Sequence, residues 1–161
     1  LEIDFVDERQ VAAFCARLDG VLGSIASLGA TDPSAALPVS WHFIEAIPLV
    51  LDSVQCEDEL GIFCDDLGKA AISLAAKSPP LLRETLTRLL DAYLKDGHGV
   101  FNDVPRLVSA VRLANDDRVW LIGVVIALRP AAKHWQTSGL DELLGRLRKG
   151  RYGSRPPRPA R

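Results

Sequence analysis

The side chains of this 161-residue chain that could do chemistry are three histidines, three cysteines and a few adjacent acids. His42 lies between Trp41 and Phe43, the setting of a partly buried packing residue rather than a ligand. His98 lies between Gly97 and Gly99 and reads as a helix-terminating turn. His134, beside Lys133 and Trp135, reads as a surface or interface residue. Zinc needs clustered ligands such as C-x2-C, and Cys15, Cys56 and Cys64 are too dispersed for that. An odd, sparse set makes no disulfide framework either. These cysteines read as reduced, buried thiols of a cytoplasmic or nuclear protein. Asp65-Asp66, Asp116-Asp117 and Asp141-Glu142 are adjacent pairs. Neighbours on a helix do not face one another, so none forms a carboxylate dyad by itself. Asp116, Asp117 and Asp141 have a simpler use at helix N-termini. No H-E-x-x-H, G-x-S-x-G, P-loop or G-x-G-x-x-G occurs. The expectation is a chain that is not an enzyme and takes no cofactor or metal.

Charge says more. The net charge is −2, but Arg148, Lys149, Arg151, Arg155, Arg158 and Arg161 crowd the end with no acid among them. The preceding residues therefore carry the whole acidic excess, a poor surface for phosphates, so nucleic acid is not expected except through the tail. Glu57, Asp58 and Glu59, followed by Asp65 and Asp66, mark an acidic face for a basic protein partner. The tail offers Arg155, Pro156, Pro159 and Arg161 within a P-x-x-P-x-R pattern. That pattern resembles the ligands read by SH3 domains, in which proline pre-sets an extended helix and arginine meets an acidic pocket.

The elements that must carry these residues are helices. Hydrophobic residues make up 48% and charged residues 25%, which argues for a packed core. Val11, Phe14, Leu18, Leu22, Ile25 and Leu28 recur at helical steps, with Gly29 as the stop. The next helix is expected from Ser40 through Trp41, Ile44 and Leu51, with a kink or restart at Pro48. Glu57 opens another, striped by Leu60, Phe63, Leu67, Ala71 and Leu74. Ser78-Pro79-Pro80 is a start signal for Leu82, Leu86, Leu89 and Tyr93. Asp96-Gly97-His98-Gly99 stops that helix, and Asn102-Asp103 caps the next. Val119–Leu128 is apolar at nearly every position and rich in β-branched residues, so a buried strand is an alternative. A helix is preferred because a lone strand would have no ladder partner. Ser138 is expected to cap the last helix, with Leu140, Leu143, Leu144 and Leu147 inside. Ten apolar residues fall short of a bilayer span, and no transmembrane segment or signal peptide is expected. The absence of methionine suggests processing or excision from a longer polypeptide.

Helix starts near Trp41, Pro79 and Asp117 are evenly spaced, close to the period of paired-helix repeats. Val104-Pro105-Arg106-Leu107-Val108, the Asn115-Asp116-Asp117 turn, Arg118-Val119 and the closing Ala127-Leu128 resemble a HEAT repeat. Ile47-Pro48-Leu49-Val50 repeats the early-proline part. Arg118-Val119 inverts the family's Val-Arg order, and Trp120 replaces a small residue. The resemblance to HEAT and armadillo arrays implies antiparallel helix pairs stacked as a short right-handed superhelix, with an irregular α-helical bundle as the alternative. The expected layout is one domain over 1–150 and a flexible basic tail over 151–161. The expected role is a protein-interaction module or scaffold segment that could pair with its own copies. The alternative is a bundle holding a small apolar ligand or lipid near Trp41, Trp120 and Trp135.

Overall fold

The computed structural model describes residues 8–50 and 57–150. Every regular element among them is helical: α1 (Glu8–Thr31), α2 (Pro33–Val50), α3 (Glu57–Lys77), α4 (Leu82–Lys95), α5 (Val104–Ser109), α6 (Asn115–Leu128) and α7 (His134–Arg148). The protein is all-α. Residues 119–128 belong to α6, so the strand alternative is excluded. The chain gathers into two compact units, Leu1–Val104 and Pro105–Arg161.

In the first unit α1 packs on α2 and α3, and α4 packs on α2 and α3. The α2–α3 interface is the most extensive. Leu37 and Ile44 of α2, Leu67 of α3, and Leu86, Leu89 and Leu90 of α4 are sealed from solvent within this unit. Three expected boundaries move. The first helix does not stop at Gly29 but runs to Thr31. Gly29 is buried because it is a contact point, not a cap. A Cβ there would collide with Leu74 Cδ2 and sit 3.6 Å from Ala36 Cβ, so its bareness lets three helices converge. The second helix begins at Pro33, not Ser40. Asp32 Oδ1 accepts the Ala35 N–H at 3.1 Å, an N-cap that proline at the first helical position continues. Pro38 is exposed on the outer side of α2, while Ala36, Leu37 and Ser40 are sealed on the inner side. Their burial outweighs the backbone bond that proline deletes. Ser40 turns back on its own helix, its hydroxyl donating to Ala36 O at 3.1 Å. Pro79-Pro80 forms a single 3-10 turn over Pro79–Leu81, and Ser78 makes no side-chain cap bond. The α-helix proper starts at Leu82.

The α4 stop is built by Asp96, which is fully buried. Its Oδ1 accepts the N–H groups of His98 (2.9 Å) and Gly99 (3.0 Å), and its Oδ2 accepts that of Phe101 (2.8 Å). Three backbone donors are thereby satisfied by one side chain. Gly99 takes φ 79° to complete the turn, a conformation costly for a residue with a Cβ.

The second unit is organised around α6 and α7. Arg118 Nη1 donates to Leu147 O at 2.9 Å near the C-terminal end of α7, where free carbonyls favour a cation. Toward the other end Arg129 forks onto Asp141 at 2.7 and 3.0 Å. That pairing holds the Asp141 carboxyl below its ordinary range. Asp141 is thus a fork partner rather than a helix cap. The last helix starts at His134 and not at Ser138. The buried Gln136 makes that start possible, its Oε1 accepting the Lys133 N–H at 2.9 Å.

Candidate functional site: an acid-rimmed groove between α1 and α3

An amphipathic stripe predicts an apolar face but not what covers it. On α3 all five stripe residues, Leu60, Phe63, Leu67, Ala71 and Leu74, are buried. On α1, among the described residues of its stripe, only Ile25 is; Phe14, Leu18 and Leu22 are half-buried and Leu28 is 37% exposed. The uncovered part of the α1 stripe leaves grooves on both flanks of that helix.

The groove toward α3 holds about 190 Å³ and is lined by Cys15, Leu18, Asp19, Leu22, Glu59, Ile62, Phe63 and Asp66. Residues 15, 18, 19 and 22 share one face of α1, and 59, 62, 63 and 66 share one face of α3, because three- and four-residue steps return to the same side. The floor is apolar. Phe63 is buried, whereas Ile62 is 68% exposed, a large uncovered apolar side chain. Three carboxylates frame it: Asp19, Glu59 and Asp66. Among the described residues none of the three has a hydrogen-bond or ion-pair partner. The site is therefore oily at its base and, among the described residues, uncompensated in negative charge at its rim.

Of the residues singled out in the sequence, Glu59 and Asp66 stand in this groove. Asp58 and Asp65, also seven residues apart, share a neighbouring face of α3, where Asp65 Oδ2 meets Lys69 Nζ at 2.6 Å. These four acids thus divide between two faces instead of forming one. Glu57 lies at the start of α3, its side chain outside the described residues, as are Arg155, Pro156, Pro159 and Arg161. Asp19, Cys15 and Ile62 were not foreseen. The available signal was Asp19, which shares with Arg17 the charge of an otherwise uncharged stretch, residues 12–31.

The other chemically suggestive residues are placed for structure. Cys64 and Tyr93 are each 2% exposed. Burial, and secondarily the Asp96 charge, push both the Cys64 thiol and the Tyr93 phenol upward. A thiol held protonated in a closed interior is no nucleophile. His42 is exposed rather than partly buried, edge-on to Phe43 at 5.8 Å between centroids. No group of His, Cys, Asp and Glu suited to a metal ion occurs among the described residues. None of the three tryptophans lines the α1–α3 groove. Trp41 bridges α2 to α4 through Thr85, its Nε1 donating to Oγ1 at 3.0 Å. The stretch Ala12–Thr31 of α1 is long and apolar enough to cross a membrane by length and composition alone. It carries Arg17 and Asp19, each costly at a bilayer centre.

Compared with known proteins, the chain matches no family model, no curated protein and no solved structure.

Proposed function

We propose that this protein is a non-enzymatic interaction module, and that its α1–α3 groove receives a basic, amphipathic helix from a protein partner. The observation that carries this reading is the groove's composition. Three carboxylates without an ion-pair partner among the described residues surround Leu18, Leu22, Ile62 and Phe63. A helix with apolar residues at i, i+3, i+4 and i+7 and lysine or arginine beside them would fill the floor and meet the rim. Charge at such a rim sets the encounter rate and the choice of partner more than total affinity. The pairwise packing of α1 with α2 and α3, and of α4 with α2 and α3, supports a scaffold of two stacked helix pairs. A scaffold of that kind is what the HEAT resemblance implies, and it would leave helix faces free at its flanks.

The test is a pair of designed peptide helices with one leucine face, one bearing lysines and the other glutamates on the opposite face. The lysine peptide binds and the glutamate peptide does not. Reversing charge in Asp19→Lys/Asp66→Lys exchanges the preference. Equal binding of both peptides by the parent protein refutes the proposal.

A further inference from the structure

The two charges of the 12–31 stretch go to opposite sides of α1. Asp19 joins the acid-rimmed groove, and Arg17 stands at a second groove between α1 and α2. Two residues apart on a helix is more than half a turn, which is why adjacent grooves receive opposite signs. The second groove is larger, about 460 Å³, and is lined by Arg17, Gly20, Val21, Ser24, Ile25, Leu28, Val39 and Phe43. Arg17 is its single charged residue, and it has no carboxylate partner among the described residues. The rest is an apolar channel. Leu28 is 37% and Val39 40% exposed along it, and Phe43 in the same lining is half-buried. Gly20 keeps the groove open next to Arg17, since nothing lies within 4 Å of where its Cβ would be. Ser24 does not offer its hydroxyl proton to the groove, because it donates to Gly20 O at 2.9 Å.

From these features we infer that the α1–α2 groove binds a long-chain carboxylate, its head on Arg17 and its chain running toward Leu28. The chemistry required is one anion at one end of a track that is apolar apart from Ser24. From Arg17 to Leu28 the helix rises roughly 16 Å, the length of an extended chain of about a dozen carbons. The guanidinium fork matches a carboxylate, and its charge is not already committed. A peptide helix is the less fitting occupant. The groove offers it one cation and the acceptor oxygen of Ser24, whereas an alkyl chain needs no polar contact along its length.

The experiment uses the full chain and three soluble probes: laurate below its micelle concentration, dodecanol with the same chain and a neutral head, and hexanoate. Calorimetric titration should give laurate a dissociation constant on the order of 10–100 μM. Dodecanol should bind about 3- to 10-fold more weakly, and hexanoate beyond detection. Arg17→Gln should bring laurate down to the dodecanol level and leave dodecanol unchanged. Val39→Asp, at an exposed position, should remove both while the thermal melt stays that of the parent. Asp66→Lys, in the other groove, should leave laurate binding intact, so this inference and the peptide-groove proposal fail separately. Equal affinity for laurate and dodecanol, or laurate binding indifferent to Arg17→Gln, overturns the inference. So does attachment to phosphatidylcholine vesicles without binding of free laurate.

Discussion

The guanidinium of Arg88 lies over the ring of Trp41, its central carbon 4.7 Å from the ring centroid. The same guanidinium pairs with Glu45 of α2 and with Glu84 of its own helix, the latter at 2.8 Å. Trp41 in turn donates to Thr85 on α4 at 3.0 Å, and Thr85 Oγ1 donates to Leu81 O at 2.8 Å. A cation over an aromatic face and a hydrogen bond from its edge thus fasten α2 to α4 at one place.

Trp41→Phe keeps most of the stacking surface and deletes the indole N–H. It should cost about 1 kcal/mol, read as a lower urea midpoint at unchanged slope. Arg88→Ala should cost about 1–2 kcal/mol through lost cation–π contact and packing. A double-mutant cycle should give a coupling of at least about 0.5 kcal/mol. Strict additivity would show that the two side chains are merely near each other.

Glycines in α1 should respond in opposite directions to alanine. Gly20 and Gly23 meet nothing within 4 Å of a Cβ, so Gly20→Ala and Gly23→Ala should each stabilise by about 0.5–1 kcal/mol through helix propensity. Gly29→Ala gains the same propensity but drives a methyl into buried Leu74. Overpacking costs about 1–3 kcal/mol, leaving a net loss. Three thermal melts decide the point.

Asp96 is a buried carboxylate that gathers three backbone N–H groups. Asp96→Ala should cost about 2–4 kcal/mol, because those donors lose a charged acceptor. Asp96→Asn keeps one acceptor oxygen and should cost less. In either variant the amides of Gly99 and Phe101 should exchange with solvent faster than neighbouring amides of α4, measured by hydrogen exchange.

Alkali should weaken the fold. In the folded chain the Cys64 thiol and Tyr93 phenol are pushed up by burial and by Asp96. In the unfolded chain a cysteine loses its proton near pH 8.5 and a tyrosine near about pH 10. Between the unfolded and folded values the native state holds the greater number of protons, so stability falls as pH rises. The contribution is complete below about pH 8.5 and declines by about 1.4 kcal/mol per pH unit per group above each unfolded value. Urea midpoints from pH 7 to 10 should show this decline, and Cys64→Ala should flatten its first part. An unchanged profile in that variant would assign the decline elsewhere.

Helix identity was legible in the spacing of the apolar residues. Leu86, Leu89 and Tyr93 of α4 and Leu60, Phe63 and Leu67 of α3 are buried as their period requires. Ends were less legible because local signals compete with packing. Ser138 and Ser40 both look like caps, yet buried Gln136 and the Asp32-Pro33 pair start those helices earlier. The grooves were not legible. Periodicity placed Leu18, Leu22 and Leu28 on one apolar face, but whether a neighbour covers that face depends on where α2 and α3 run, a long-range matter. The acids were visible as a cluster. Only the structure separates Glu59 and Asp66 from Asp58 and Asp65, and adds Asp19 from a helix some forty residues away.

The most direct test of the interaction reading is residue-resolved. Amide NMR spectra of the protein are followed as the lysine-faced peptide is added, at low and at moderate salt. The account predicts that shifts concentrate on residues 15–22 of α1 and 59–66 of α3. Affinity should weaken about tenfold or more with salt or with Asp19→Lys/Asp66→Lys. Shifts confined to other helices, or affinity unmoved by salt and by those two substitutions, would contradict it.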